Sequence, residues 1–265
     1  MSVEASLELI APFDLTGQVA IVTGSTRGIG LAIAKAFCQE GAKCVISSES
    51  SEDVELTIRR LADKGYDVLG VTCDVTKDDD QISLIHTTLR HFGQIDILVC
   101  NAGVTGKAGP LTTSNPDDDL QVFDTNLHSM VTLAKAAYPT LRTQSSASII
   151  LMSSIAGLRG NAVINAYALA KAGVAQLARN LAVQWGPDNI RVNAISPGLI
   201  ETTLAQPLTG NRDFLERRLQ MTPLRRLGQV EDVAGCALFL ASDAASFVTG
   251  HNLIVDGGTT ITDGS

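Results

Sequence analysis

Val19-Ala20-Ile21-Val22-Thr23-Gly24-Ser25-Thr26-Arg27-Gly28-Ile29-Gly30 is the stretch on which the fold turns. Its first four residues are uniformly apolar, the pattern of a strand buried on both faces of a parallel sheet. A glycine-rich turn follows, then a helix with apolar or small residues at Leu31, Ala34 and Phe37 until Gly41 stops it. A strand, a glycine turn and a helix N-terminus make a phosphate cradle. Backbone N–H groups and the helix dipole face the anion, and glycine lets the backbone approach it. Glycines alone would mark only a loop; their place between this strand and this helix is what points to a dinucleotide.

Working outward, the next strand, residues 43–47, ends at Ser47-Ser48-Glu49-Ser50, where a dinucleotide site meets the adenosine ribose. A carboxylate at Glu49 would bond a free ribose hydroxyl and repel a 2′-phosphate, whereas Arg27 would attract that phosphate. The two residues pull in opposite directions, and Glu49 can equally point to solvent. NAD and NADP both stay open, with the balance tipped toward NAD.

A helix over residues 52–64 leads to a strand at 68–73 that ends in Asp74-Val75. Asp74 is placed to bond an adenine amino group or to cap the next helix. Residues 81–92 read as helix and 95–100 as strand, closed by Asn101-Ala102-Gly103. Residues 104–119 read as a loop. Asn126 then lies amid apolar neighbours in a helix, against its propensity, so it is either a structural group or a water holder.

The strand at 148–152 runs into Ser153-Ser154, and after Gly157, Arg159 and Gly160 an Ala-rich helix carries Tyr167 and Lys171 to about Trp185. A Tyr and a Lys four apart share one helix face, so the ammonium can favour the ionised phenol. Taken alone, that spacing is common on surface helices. The helix's small residues permit close approach of the sheet or of an equivalent helix from another subunit. A strand at 190–195 ends in Ser196-Pro197-Gly198, and residues 199–228 lack a single period, as expected of an excursion covering an active site. A helix at 230–241 and a strand at 252–256 precede Gly257-Gly258.

Strand and helix alternate throughout, which predicts an α/β, Rossmann-type, doubly wound parallel sheet of about seven strands with helices on both faces. Residues 1–14 read as an N-terminal arm and 15–265 as a single dinucleotide-binding and catalytic domain. The candidate groups all end strands or follow them, and so share one sheet edge.

Bulk properties narrow the partners. Among 265 residues, 45% are hydrophobic, enough for a substantial core, and the formal net charge is -8. That balance argues against nucleic acid or an anionic membrane as partner. The five cysteines form no C-x-x-C and sit in apolar patterns, as in a reduced, cytoplasmic protein. No apolar run reaches membrane-spanning length, and the first residues lack the base of a signal peptide. His86, His91, His128 and His251 show no paired ligand spacing, so no metal is expected. No G-x-S-x-G elbow surrounds Ser154, which disfavours a serine hydrolase.

Together these residues resemble the short-chain dehydrogenase/reductase family from about Leu15 to Gly258. The resemblance rests on Thr23-Gly24-x-x-x-Gly28-x-Gly30, Asp74, Asn101-Ala102-Gly103, Asn126, Ser154 with Tyr167 and Lys171, Pro197-Gly198 with Thr202, and Val255-Asp256-Gly257-Gly258. It implies an NAD(P)-dependent oxidoreductase moving hydride between nicotinamide and a secondary alcohol or carbonyl of a small molecule, such as a sugar, polyol or other hydroxy compound. By the same resemblance Tyr167 is the general acid/base, Ser154 bonds the substrate oxygen, Lys171 supports Tyr167 and the nicotinamide ribose, and Asn126 holds a relay water. The implied cofactor contacts are Gly24, Thr26, Arg27, Gly28, Ile29 and Gly30 at the pyrophosphate and ribose; Ser48 and Glu49; Asp74 and Val75 at the adenine; Asn101, Ala102 and Gly103; and Pro197, Gly198, Ile200 and Thr202 at the nicotinamide. Substrate-lining candidates are Ser154, Ile155, Arg159, Tyr167, Leu199 and Leu204; Arg159 or Lys107 can meet an anionic group, although solvation is the ordinary state of either and the favoured reading. Cys100 stands where the family often has a second Asn, Ser129 where a Gly is usual, and Glu49 near the place of an Arg in NADP-preferring members. A homo-oligomer, dimer or tetramer, is expected. Two other readings are a 3-oxoacyl thioester reductase, which a basic cluster would support and at which Arg217, Arg218, Arg225 and Arg226 only hint, and a dinucleotide-binding sensor without catalysis, against which the complete set of Asn126, Ser154, Tyr167 and Lys171 argues.

Overall fold

Strand β1 (Val19–Thr23) lies at the middle of the molecule, buried along its whole length. The computed structural model describes residues 13–262, so the expected arm falls outside the described residues except for Phe13 and Asp14. With β2 (Lys43–Ser48), β3 (Val68–Thr72), β4 (Ile97–Cys100), β5 (Ala147–Met152), β6 (Ile190–Pro197) and β7 (Asn252–Val255), β1 forms one parallel sheet in the order β3-β2-β1-β4-β5-β6-β7. The chain moves outward from β1 to β3, then crosses back to pair β4 on the other side of β1. The connections at the C-terminal ends of β1 and β4 therefore diverge and leave a crevice, the place where such sheets bind ligands.

Nine helices connect the strands among the described residues: α1 (Gly28–Gln39), α2 (Ser51–Ala62), α3 (Asp78–Phe92), α4 (Pro116–Phe123), α5 (Ser129–Leu141), α6 (Asn165–Trp185), α7 (Gln206–Thr209), α8 (Arg212–Gln220) and α9 (Val230–Ala241). Side chains alternate across each strand. Ile21, Val45 and Leu98 face one core layer with Leu84 of α3, Leu133 of α5 and Val174 of α6. Ala20, Val22, Ile46 and Val99 face the other, with Ile33 and Phe37 of α1, Leu61 of α2 and Leu240 of α9. Each such aliphatic side chain removed from water contributes about 1.5–3 kcal/mol. The Ser148 hydroxyl and the Asn193 amide, polar groups buried in the strands, donate to the Leu240 and Val248 carbonyls.

Two segments hold more helix than their sequences predict. The expected loop at 104–119 gives way to α4, whose start is encoded locally: Asn115 accepts the Asp117 N–H at 2.9 Å, Pro116 occupies the first helical position, and Asp117 to Asp119 complement the dipole. In 199–228, Asn211 caps α8 by accepting the Phe214 N–H at 3.0 Å. No residue of α8 is fully buried; Phe214, Leu215, Arg218 and Leu219 make a half-buried face interrupted by an arginine, a short and weak apolar period.

Candidate active site

The glycine turn between β1 and α1 holds Gly24 at φ +62° and Gly28 at φ +54°, in the left-handed region where side chains are strained. At Gly30 a Cβ would collide with the Gly24 carbonyl oxygen and stand 2.5 Å from the Asn101 amide nitrogen. The crowding arises because Asn101 is a clamp. Its Nδ2 donates to the carbonyls of Thr23 at 2.9 Å and Gly24 at 3.1 Å, while Thr23 Oγ1 accepts the N–H groups of Asn101 at 3.0 Å and Ala102 at 3.1 Å. The start of α1 has no side-chain cap and no acidic residue in its first turn. Its leading N–H groups thus suit an external anion. Across the crevice, a Cβ on Gly28 would sit 3.6 Å from Thr202 Cγ2, so the turn after β6 faces the cradle.

At the ribose end Arg27 lies 3.7 Å from Asp53, both exposed. Glu49 is exposed and joins no ion pair among the described residues. Ser48 Oγ accepts only a long bond, 3.4 Å, from the Ser50 N–H. Asp74 Oδ1 accepts from the Thr76 N–H at 3.0 Å and the Thr76 hydroxyl at 2.7 Å, and Oδ2 lies 3.3 Å from Lys77 Nζ. The Thr76 hydroxyl is the main reason the carboxyl is held below its ordinary range. Asp74 therefore closes the turn into α3, with Val75 buried beside it.

Strand β5 delivers the two serines to different tasks. Ser153 is buried and its hydroxyl donates to the Lys171 carbonyl at 2.7 Å, whereas Ser154 is half-buried and its Oγ accepts the Ala156 N–H at 3.1 Å. This caps the 3-10 turn Ile155–Gly157, which lies so close to α6 that a Cβ on Gly157 would be 2.5 Å from the Ala172 nitrogen. That contact brings Ser154 to Tyr167. Burial raises the Tyr167 phenol above its ordinary value, and a hydrogen bond with Ser154 draws it partly back. Lys171 is buried, donates from Nζ to the Met152 carbonyl at 2.7 Å and lies 5.6 Å from the Tyr167 ring centroid. Burial pulls its ammonium down to about 7. Beside it, the Cys100 thiol is pushed up to about 12 by burial.

Asn126 sits in a π-helical segment, Asp124–His128, between α4 and α5. Fully buried, it donates from Nδ2 to the carbonyls of Val104 at 2.8 Å and Val122 at 2.9 Å, and its Oδ1 accepts the Val104 N–H at 3.1 Å. A Cβ on Gly103 would lie 2.5 Å from Asn126 Oδ1 and 3.6 Å from Lys171 Nζ. Asn126 thus pins the strand β4 exit beside the lysine.

Of the substrate candidates, Ile155 is buried, Arg159 and Leu199 are half-buried, and Leu204 is exposed. Leu199 and Ile200 border a cavity of about 290 Å³ shared with Arg218, Leu219 and the Asp256-Gly257-Gly258 turn after β7. Lys107 is paired with Asp118 at 2.8 Å. Of the arginines in this segment, Arg218 is half-buried with its guanidinium 5.5 Å from the Phe214 ring centroid, one helical turn earlier, whereas Arg217, Arg225 and Arg226 are exposed. Among the described residues no cluster of His, Cys, Asp or Glu is arranged to hold a metal ion, and no helix is long and apolar enough to cross a membrane.

Residues 24–260 match the family described as enoyl-(acyl carrier protein) reductase. The chain is also 37% identical over 244 residues to dehydrogenase/reductase SDR family member 4 of Oryctolagus cuniculus, covering 92% of this chain and 94% of that one. The chain belongs to the short-chain dehydrogenase/reductase family. Among solved structures, this short-chain dehydrogenase/reductase is similar to a gluconate 5-dehydrogenase from Burkholderia cenocepacia in complex with NADP and tartrate, with a TM-score of 0.91, 33% identity and coverage of 95% and 98% of the two chains. A 7 alpha-hydroxysteroid dehydrogenase complexed with NADH and 7-oxo glycochenodeoxycholic acid gives a TM-score of 0.90 and 34% identity over 93% and 96%. As a member of this family the protein is an NAD(P)-dependent oxidoreductase acting on hydroxyl or carbonyl groups of small molecules.

Proposed function

We propose that this short-chain dehydrogenase/reductase interconverts a secondary alcohol and its carbonyl on a small hydroxy compound, with Tyr167 as the proton-transfer group. The observation that carries the reading is the convergence of Ser154 and Lys171 on Tyr167 at the sheet edge that also holds the glycine cradle. A nicotinamide cofactor held there would supply or accept the hydride. Gly24, Thr26, Arg27, Gly28, Ile29 and Gly30 would hold its pyrophosphate, Ser48, Glu49, Asp74 and Val75 its adenosine, and Asn101, Ala102, Gly103, Pro197, Gly198, Ile200 and Thr202 its nicotinamide half.

With its phenol raised by burial, Tyr167 is protonated at neutral pH, the form that donates a proton to a carbonyl oxygen. Oxidation of an alcohol needs the phenolate, which an added positive charge beside the ring would stabilise. Lys171 supplies that charge whenever it is protonated. Ser154 donates to the same substrate oxygen as negative charge develops there. Asn126 positions Lys171 by fixing the Gly103 and Val104 backbone.

The test is a screen of alcohols, sugars and ketones with NAD and NADP, read as nicotinamide absorbance. Tyr167→Phe is expected to lower kcat by about 100- to 10,000-fold on whatever substrate emerges. Near wild-type turnover by this variant would overturn the assignment.

Cofactor preference is proposed to lie with NAD, supported by the exposed Glu49 carboxylate and by Asp53 near Arg27. The two solved relatives, one with NADP and one with NADH, show that the family accommodates both. A cytoplasmic homo-oligomer, dimer or tetramer, is supported by unpaired cysteines and by exposed Leu169 and Val183 on α6 and Phe247 before β7. A monomer in sedimentation at micromolar concentration would contradict it. Residues 15–265 are proposed as one catalytic domain, with residues 199–228 covering the substrate; protease resistance of that segment on ligand addition tests this. The thioester-reductase reading is less well supported, because Arg226 is paired with Asp232 at 2.6 Å and Arg225 donates to the Gln220 carbonyl, which disperses the basic cluster.

A further inference from the structure

The turn after β7, Val255-Asp256-Gly257-Gly258, holds no reacting group, yet it is packed on both sides as tightly as the glycine cradle. On one side it meets the turn after β6. The Gly198 N–H donates to the Val255 carbonyl at 2.9 Å, and a Cβ on Gly198 would stand 2.8 Å from Asp256 Cα. On the other side it meets the residues that follow α8. The Leu224 N–H donates to the Gly257 carbonyl at 3.1 Å, a Cβ on Gly257 would stand 2.9 Å from Thr222 Cγ2, and one on Gly258 2.7 Å from Pro223 Cγ. Asp256 locks the turn from within, its Oδ1 accepting the Gly258 N–H at 2.8 Å and its Oδ2 the Thr260 N–H at 2.7 Å. Two buried hydroxyls complete the junction. Those of Thr222 and Thr259 lie 3.0 Å apart, with the Arg218 carbonyl 2.9 Å from the first and the Asp256 carbonyl 2.7 Å from the second.

The stretch that this junction ends is otherwise thinly held. Its base is closed by the Glu201 N–H on the Gly228 carbonyl at 2.8 Å and the Gly228 N–H on the Leu199 carbonyl at 3.0 Å. Among the described residues from 201 to 221 only Ala205 is buried, and Thr222 is the next. A cavity of about 290 Å³ opens between Leu219 of α8 and the sheet edge at Leu199, Ile200 and Val255. A helix set over a void forfeits the dispersion contacts that would otherwise fix it. Placement of α8 therefore falls to the bonds at Thr222 and Leu224.

We propose that the turn after β7 is the anchor that registers residues 201–222 on the nicotinamide-holding turn, with Asp256, Thr222 and Thr259 as positioning residues for the reaction. This inference rests on reading Pro197 to Thr202 as the nicotinamide turn and residues 199–228 as the cover of the substrate. The same four residues grip both, so the cover is set against the cofactor rather than against solvent. Without the Thr222 hydroxyl the cover stays joined at its base but loses its seat, while Gly198 keeps its own bond to Val255.

The test uses the full chain. Thr222→Val removes the hydroxyl at nearly constant volume and Thr222→Ser retains it; Asp256→Ala frees the turn and Asp256→Asn keeps one acceptor. Kinetics on a substrate from the nicotinamide screen are combined with NADH and NADPH titrations read by fluorescence, and with hydrogen–deuterium exchange of peptides within residues 212–222. Thr222→Val is expected to raise substrate KM about 5- to 10-fold, with kcat and nucleotide Kd within about twofold of wild type and Thr222→Ser close to wild type. Asp256→Ala is expected to raise both KM and nucleotide Kd, with Asp256→Asn between it and wild type. Exchange within residues 212–222 is expected to quicken about tenfold in Thr222→Val while β1 stays protected. Wild-type exchange in Thr222→Val would overturn the proposal, as would a fall in kcat at constant KM that tracks the unfolding temperature, the mark of a merely structural bond. Faster exchange with unchanged KM would also overturn it, by keeping the anchor and removing the cover. If wild type turns over nothing in the screen, the failure falls on the alcohol/carbonyl reading, and the anchor is decided by exchange alone.

Discussion

Lys171 illustrates how one buried side chain would couple the proposed proton transfer to stability. Its ammonium, ordinarily 10.5, titrates at about 7 in the fold because burial penalises the charge. Between those values the unfolded chain holds a proton that the folded chain has released, so the Lys171 contribution to stability rises with pH from about 7 to about 10.5. Cys73 and Cys100, both held protonated to about 12, act in the opposite sense once pH passes the ordinary thiol value. The informative quantity is therefore a difference. Thermal unfolding of the cofactor-free protein, followed from about pH 6.5 to about pH 9.5, is expected to show a rise in wild type relative to Lys171→Met; parallel curves would refute the burial argument. Glu49 offers a second residue-scale test. Glu49→Arg removes a charge that repels a 2′-phosphate and adds one that attracts it, so the ratio of kcat/KM for NADP to that for NAD is expected to rise about tenfold or more. An unchanged ratio would place this carboxylate away from the ribose. Both residues stand out as candidates from spacing and position along the chain alone. What spacing does not convey is that Lys171 is bonded to the Met152 carbonyl and that Ser153 is consumed by the Lys171 carbonyl, since both partners are non-local in sequence.

At the level of elements, the strand and helix order is readable from apolar runs because parallel strands are buried on both faces, as β1, β5 and β6 are. Short capped helices are less so. Asn115-Pro116 before three aspartates is a helix start whose signal lies in caps and charge rather than in periodicity, and α8 has only a short half-buried face to betray it. The π-helical segment is not legible at all, since the sequence of Asp124-Thr125-Asn126-Leu127-His128 satisfies an ordinary helix equally well. Its geometry matters because it turns Asn126 inward toward Val104. Asn126→Ala would strand the Val104 N–H and the carbonyls of Val104 and Val122, at a cost of about 1–3 kcal/mol for each buried group left unpaired. Denaturant unfolding of this variant is expected to show a lowered midpoint with an unchanged slope, accompanied by reduced kcat. Full stability would show that water replaces the amide. A single-residue deletion in this segment, restoring a continuous helix, would rotate the amide by about 100° and is expected to lose both properties.

Across the whole molecule, the strand order splits the sheet at β1 and β4, with α1, α2 and the glycine turn on one side and α4 to α8, Ser154 and Tyr167 on the other. The two sides meet at Thr23 and Asn101, whose side chains each bond the backbone of the opposite segment. In hydrogen–deuterium exchange, the N–H groups of Asn101 and Ala102, held by the buried Thr23 hydroxyl, are expected to open only with global unfolding. Fast exchange there would show that the halves separate on their own. The cleft floor is then the slowest-breathing part of the protein. If residues 199–228 cover the substrate as proposed, this rim, with its half-buried α8, is the part expected to open locally, and substrate and product would come and go by that side.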